Sequence, residues 1–392
     1  MNPRRPPRQR PWSWRGRTAR GVFFQAIALS VVCLAIGLLA HNTVANLRAR
    51  GIQSGFDFLN ATAGFDIGES PIPFSPTDSY ARAIGIGVLN TLRVALIGIL
   101  LTTVFGTLLG IGRLSRNALV RGLCYGYVEL FRNVPLLLQL LMWYLLCVEV
   151  LPPAQAAWNF AGLFYLSKGG LAFPVPLWHA GQILGLVCAL VGVGIAWGWR
   201  RREQRRFELT GIPRDRVWVP LLLVATSVGI GWWAGGAPRA WQVPEQLAFA
   251  VDGGGSATPE FLALLLGLVL YTAAFVAEVV RSGIQSVDRG QVEAARALGL
   301  TPRLEMRLVV LPQALRVIVP PLTNQYLNLT KNSSLAVAIG YPDVVSIANT
   351  TLNQTGRAVE CIAIIMAVYL ATSLATAACM SWYNRRVAIV ER

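Results

Sequence analysis

The chain has 392 residues, of which 54% are hydrophobic and 14% charged, and its formal net charge is +16. An apolar excess of this size excludes a set of ordinary soluble domains and fits a protein whose outer surface faces lipid. The six cysteines are scattered without metal-ligand spacing and the two histidines are His41 and His179, so neither a zinc nor a haem site is expected and the cysteines read as structural thiols.

In chain order, apolar runs near 22–40, 86–109, 135–151, 181–198, 217–234, 260–279, 309–329 and 360–382 are long enough to cross a bilayer, which takes roughly 20 residues of helix. The reading is an all-α membrane protein of about eight transmembrane helices, because lipid offers backbone groups no partner outside a helix or a closed barrel. The strand alternation of a barrel is absent. The first run is too long for a signal-peptide core and reads as an uncleaved anchor. Four blocks follow. Residues 1–83 hold a basic tail, the extra first span and a polar outer loop. Residues 84–151 hold two spans. Residues 152–258 hold a pair that looks inserted, with an Arg-rich loop between its helices. Residues 259–392 hold the last three spans. The inserted helices carry almost no polar residues and suit lipid-facing positions.

The positive charge follows this division. Seven arginines lie within 4–20 and seven within 200–216, whereas 41–83, 152–180, 235–259 and 331–359 are poor in Arg and Lys. With eight spans the rich segments all fall on one side, which makes both termini cytoplasmic. The charge therefore records topology, and no nucleic-acid partner is expected.

Two lysines, Lys168 and Lys331, are all the chain has, and neither follows a glycine. A phosphate-binding G-x-x-x-x-G-K-[ST] loop is thus impossible, and ATP hydrolysis by that route with it. No Ser/His/Asp, metal or carboxylate constellation suggests a catalytic residue of any other kind. Between the spans 260–279 and 309–329 lies "GQVEAARALGL", 290–300. As a helix it places Ala294, Ala297 and Leu298 on one side and a small-residue strip, Ala295 and Gly299, next to them. Gly299 is placed to end the helix and Pro302 to prevent its continuing. The product is a short stiff peg on the cytoplasmic side, or an amphipathic helix lying on the bilayer.

"EAARALGLTPRLEMRLVVLP" resembles the EAA signature of ABC-importer permeases, carried here by Glu293, Ala294, Ala295, Gly299, Val309, Leu311 and Pro312. Val309 stands where Ile is commoner. "NTLRVALIGILLTTVFGTLLGIGRLSRN", "YVELFRNVPLLLQL", "AEVVRSGIQSVDRGQ" and "LTNQYLNLTKNSSLAVAIG" are similar to the polar-amino-acid branch of that family. The resemblance covers roughly 84–150 and 259–390. The extra first span and the inserted pair match the longer permeases of general L-amino-acid importers. It implies the five-helix core of type I importer permeases and a location in the bacterial inner membrane. It also implies a coupling helix seated on an ATP-binding subunit, with Glu293, Ala294, Ala295, Gly299, Leu311 and Pro312 as coupling residues. Further implied partners are a second, related permease chain and a periplasmic amino-acid-binding protein. ATP is then used by the partner subunit, and no cofactor is bound by this chain.

Downstream, Pro312, Pro320 and Pro321 remove backbone donors and are expected to bend or break the helix where a cavity or protein satisfies the freed groups. Asn324, Gln325, Asn328, Lys331, Asn332 and Ser333 follow closely and read as a substrate path for an amino acid, with Lys331 and Asn332 near the outer mouth. Helix–helix hydrogen bonding between permease halves is the competing reading. Glu278 and Arg281 read as a local salt bridge, and Arg132 as an inner anchor with a second contact to the ATPase. A secondary, ion-coupled amino-acid transporter is the alternative function; it would favour carboxylates deep in the spans, and Asp and Glu occur only at their edges.

Overall fold

The computed structural model describes residues 17–49, 55–177, 180–210, 218–236, 241–247 and 250–387. The basic tail to residue 16, His179, Arg214, Arg216 and Arg392 lie outside them. The helices in order are α1 (Arg17–Ala49), α2 (Tyr80–Gly112), α3 (Ala118–Asn133), α4 (Leu136–Leu145), α5 (Ala180–Thr210), α6 (Trp218–Ala234), α7 (Pro259–Gln285), α8 (Arg289–Ala297), α9 (Pro302–Glu305), α10 (Leu311–Asn332), α11 (Val344–Thr355) and α12 (Ala358–Val387). The chain is an all-α membrane protein in its spans. Among the described residues six helices are long and apolar enough to cross a membrane, and a seventh span arises if α3 and α4 with its π-helical end count as one.

Each of the eight expected spans coincides with a helix, but two differ from expectation. The stretch 135–151 is the second arm of a bent pair, in which α3 and α4 meet at 103°. Pro135 lacks the N–H that would continue α3 and disfavours helical backbone in the residue before it. The buried Gln139 side chain donates to the carbonyls of Phe131 (3.0 Å) and Val134 (2.9 Å), the groups that the bend leaves without helical partners. The stretch 217–234 is the 17-residue α6, too short to qualify alone.

A second difference lies in the inserted block, whose outer segments form strands: β1 (Trp158–Phe160), β2 (Phe164–Ser167), β3 (Gly170–Phe173), β4 (Val175–Pro176), β5 (Trp241–Gln242), β6 (Glu245–Gln246), β7 (Val251–Asp252) and β8 (Gly255–Ala257). One antiparallel sheet runs β1-β2-β3-β8, with Leu171 opposite Ala257. Strands this short carry too weak a period-2 pattern to be read from sequence.

The described residues divide into two compact units. One comprises the chain to Arg93 with Tyr326–Val337 and Pro342 onward; the other comprises Val94–Gln325 with Ala338–Tyr341. The first has a core of Phe58, Tyr80, Ile84, Ile86, Ile347 and Cys361. Asp343 starts α11 by accepting from Ser346 N at 2.8 Å, and Asn90 ties the neighbouring turns by donating to the carbonyls of Glu69 and Pro342, both at 2.9 Å.

The second unit is built around α7. Thr258 caps it at Phe261 N, with Pro259 in its first turn. Lipid is as apolar as leucine, so helices associate in it by close packing and hydrogen bonds. The buried face of α7 accordingly includes Ala263, Gly267, Ala273, Ala274, Ala277 and Gly283 between larger residues such as Leu264 and Val276. A Cβ on Gly110 of α2 would lie 2.7 Å from the Ala277 carbonyl oxygen, so only glycine permits that approach. Tyr127 of α3 donates to the Leu270 carbonyl at 2.8 Å, and Val128 packs on Ala274 and Ala277.

Candidate coupling loop and polar helix

The peg expected at 290–300 is α8. Asp288 caps its start by accepting from Gly290 N at 2.9 Å. Its end is a Schellman turn: Gly299 N donates to Arg296 O at 2.9 Å, Leu300 N donates to Ala295 O at 3.1 Å, and Gly299 has φ +75°. That left-handed backbone is why glycine occurs there. Pro302 opens α9, so the chain turns sharply and does not extend the peg.

Glu293, Ala294, Ala297 and Gly299 are exposed and Leu298 is 81% exposed. Ala295 is not; it is turned into the chain, which corrects the expectation that it shares an outer strip with Gly299. Arg296 bonds across the turn to the nearly buried Glu305, Nε to Oε2 at 2.9 Å. This bond holds the guanidinium more firmly protonated than usual. Burying the carboxylate of Glu305 beside α8 fixes the peg's base. Leu311 is exposed and Pro312 half-buried, at the start of α10. Pro312 has no N–H for the Leu308 carbonyl, and the turn ahead of it, Met306–Val310, widens to a π-helix.

Of the bend or break expected at Pro320 and Pro321, the break does not occur; both lie inside α10, which is continuous. Asn324, Asn328 and Lys331 are exposed at i, i+4 and i+7 and form one stripe. Gln325 and Asn332 are half-buried beside it. Ser333 is buried and donates to Thr330 O at 2.8 Å, so it faces into the chain and away from the stripe, against the sequence reading.

Glu278 pairs with Arg281 as expected and, beyond expectation, with Arg113, in the turn just after α2. Arg132 lies over the Phe275 ring at 5.3 Å. The sequence reading missed Arg113, Asn90 and Asp343. Burial pushes the Asp343 carboxyl up to about 6 even though it accepts from backbone N–H groups and from the Tyr369 hydroxyl at 3.3 Å. The available signal for Asp343 was "PDVV", a capping Asp ahead of an apolar helix. Among the described residues no cluster of three or more His, Cys, Asp or Glu could hold a metal ion.

α8 is thus an exposed, capped peg, and α10 carries an exposed polar stripe. Residues 102–389 match the family described as the binding-protein-dependent transport system inner membrane component. The general L-amino acid transport system permease protein AapQ of Rhizobium johnstonii is 45% identical over 97% of this chain and 96% of that protein. The glutamate/glutamine/aspartate/asparagine transport system permease protein BztB of Rhodobacter capsulatus is 39% identical over 94% of this chain and 95% of that protein. A solved amino acid ABC transporter aligns with a TM-score of 0.46 at 21% identity, over 78% of this chain and 95% of that one. The chain belongs to the family of binding-protein-dependent transport system inner membrane components, as a multi-pass, non-catalytic permease subunit of an importer.

Proposed function

We propose that this chain forms half of a translocation path for amino acids, pairs with a second, related permease chain, and is driven through α8 by an ATP-binding subunit. The exposed, Schellman-capped α8 carries the reading. Its outward face of Ala294, Ala297 and the 81%-exposed Leu298 is small and apolar, suited to seating in a protein groove. Glu293 and Gly299 flank that face. Ala295 and the Arg296–Glu305 pair hold it in place, and Leu311 and Pro312 set where the next helix begins. A soluble binding protein delivers the substrate, and the stripe of Asn324, Asn328 and Lys331 meets its carboxylate and ammonium groups. Support for a broad amino-acid substrate comes from the relatives named above, whose names cover general L-amino acids and acidic amino acids with their amides. The arginine distribution supports cytoplasmic termini.

Gly299→Asp tests the coupling role. A side chain at φ +75° strains the turn, and a carboxylate beside the docking face needs desolvation. The expected result is membrane insertion with loss of copurifying ATP-binding subunit and of amino-acid-stimulated ATPase activity. Normal copurification and uptake would remove α8 from the coupling role. Orientation is tested separately by single cysteines in a Cys-free background. Ser256→Cys should react with an impermeant reagent from outside, and Gln204→Cys should not; both positions are exposed.

A further inference from the structure

The Arg-rich end of the inserted pair combines an apolar groove with a guanidinium at its mouth. Val193, Ala196, Trp197 and Arg200 lie at i, i+3, i+4 and i+7 of α5, one face of the helix, and oppose Pro220, Leu221 and Val224 of α6. Together they line a cavity of about 300 Å³. The walls are rigid, because α5 and α6 touch closely along their length. A Cβ on Gly192 would lie 2.8 Å from Ser227 Cβ, and one on Gly231 would lie 2.7 Å from Cys188 Cβ. Arg201 stacks on the Trp197 ring at 3.5 Å, which brings a second cation to the same mouth. Residues 200–216 hold seven arginines against Glu203, Glu208 and Asp215, and Glu203 is engaged with Arg206 at 3.9 Å.

We propose that this groove seats one anionic phospholipid, its phosphodiester held by Arg200 and its acyl chain lying against Val193, Ala196, Leu221 and Val224. The planar fork of a guanidinium matches two phosphate oxygens, which a point charge does not. The aliphatic lining runs from Arg200 toward the apolar middle of α5, the direction an acyl chain takes from its headgroup. Trp197 stands where an indole ring spans the boundary between hydrocarbon and headgroups. The surplus of arginine selects a net negative headgroup over a zwitterionic one. The inference rests on α5 and α6 alone and holds whichever amino acid is carried.

The test uses the full-length chain purified in mild detergent and native mass spectrometry with added phosphatidylglycerol or phosphatidylcholine. On the unaltered chain phosphatidylglycerol should be retained about fivefold better, the weight of one Arg at an anionic surface. Arg200→Gln should lower phosphatidylglycerol retention about fivefold. Val193→Trp fills the groove and leaves every arginine in place, and it should lower retention to the same degree. Excess inorganic phosphate should not displace the lipid. Equal retention of the two lipids by the unaltered chain would overturn the proposal. So would native-like retention by Val193→Trp in a monodisperse preparation, which would assign the binding to general attraction by the basic loop. Displacement by inorganic phosphate would reduce the site to an anion site without an acyl seat.

Discussion

Helices α7 and α5 are both long, apolar and able to cross a membrane, yet the most apolar stretch of α7 is 61% buried within the chain and that of α5 only 17%. Hydropathy alone does not separate them. What differs is how their side chains are arranged. The buried face of α7 interleaves Ala and Gly with larger apolar residues and meets α2 close to the backbone, with α3 and α4 packed beside it, while its inner end carries Glu278 in a charge pair. The inward contacts of α5 are satisfied by α6, and the remaining Leu, Val and Ile, such as Leu190 at 74% exposure, point outward. In lipid, outward leucine costs nothing, so the exposed face of α5 needs no partner within the chain.

The comparison breaks most visibly at glycine. In Gly110→Val the new Cβ meets the Ala277 oxygen at 2.7 Å and Val280 Cβ at 2.9 Å, atoms that cannot move without separating α2 from α7. The expected loss is about 3 kcal/mol or more, the upper range for overpacking, read as a fall in folded yield and thermal stability in detergent. Gly194→Val of α5 has nothing within 4 Å of its Cβ and should stay within about 0.5 kcal/mol of the parent. Equal damage from both would mean that the outward face of α5 is packed against a partner.

Charge sharpens the same contrast. Glu278→Gln leaves Arg113, whose side chain is 9% exposed, without its carboxylate. The cost should be about 2 kcal/mol, below that of a fully buried pair because Glu278 itself is 26% exposed. Removing both partners, Glu278→Gln with Arg113→Gln, should recover part of it, since no charge is then stranded. A double variant as damaged as the sum of the two single ones would show that the groups act independently.

The sequence made the spans legible because length and apolarity are local properties. It made α8 legible because Asp288, Gly299 and Pro302 are each tied to one backbone conformation, and the structure uses all three as caps or breaks. Partners distant in sequence were not legible. Nothing near Arg113 announces Glu278, 165 residues away, and nothing in "EAARA" tells that Arg296 bonds to Glu305 and not to Glu293. Burial direction failed for the same reason at Ala295 and Ser333, which sit among residues of similar polarity and differ only in the face they share. That Pro320 and Pro321 leave α10 unbroken was not legible either, because the outcome depends on whether the freed carbonyls find partners, and that is a tertiary property.

The smallest expected effect concerns polar residues within helices. Thr226 of α6 is exposed but returns its hydroxyl to Leu222 O at 2.7 Å. Asn324 and Asn328 of α10 share an exposed stripe, and their amides are long enough to reach a ligand. A hydrogen bond to a charged ligand group contributes about 1.5 kcal/mol or more, so Asn324→Leu and Asn328→Leu should each weaken amino-acid uptake about tenfold. Basal ATPase activity of the assembled transporter should be retained and its stimulation by substrate lost. Thr226→Leu in the same assay should leave uptake unchanged, because a back-bonded hydroxyl on an outward face has nothing to offer a substrate. If both Asn variants keep uptake within about twofold of the parent, less than one such bond would cost, the stripe on α10 is packing between permease halves. Its exposure within a single chain would then mark an interface and not a path.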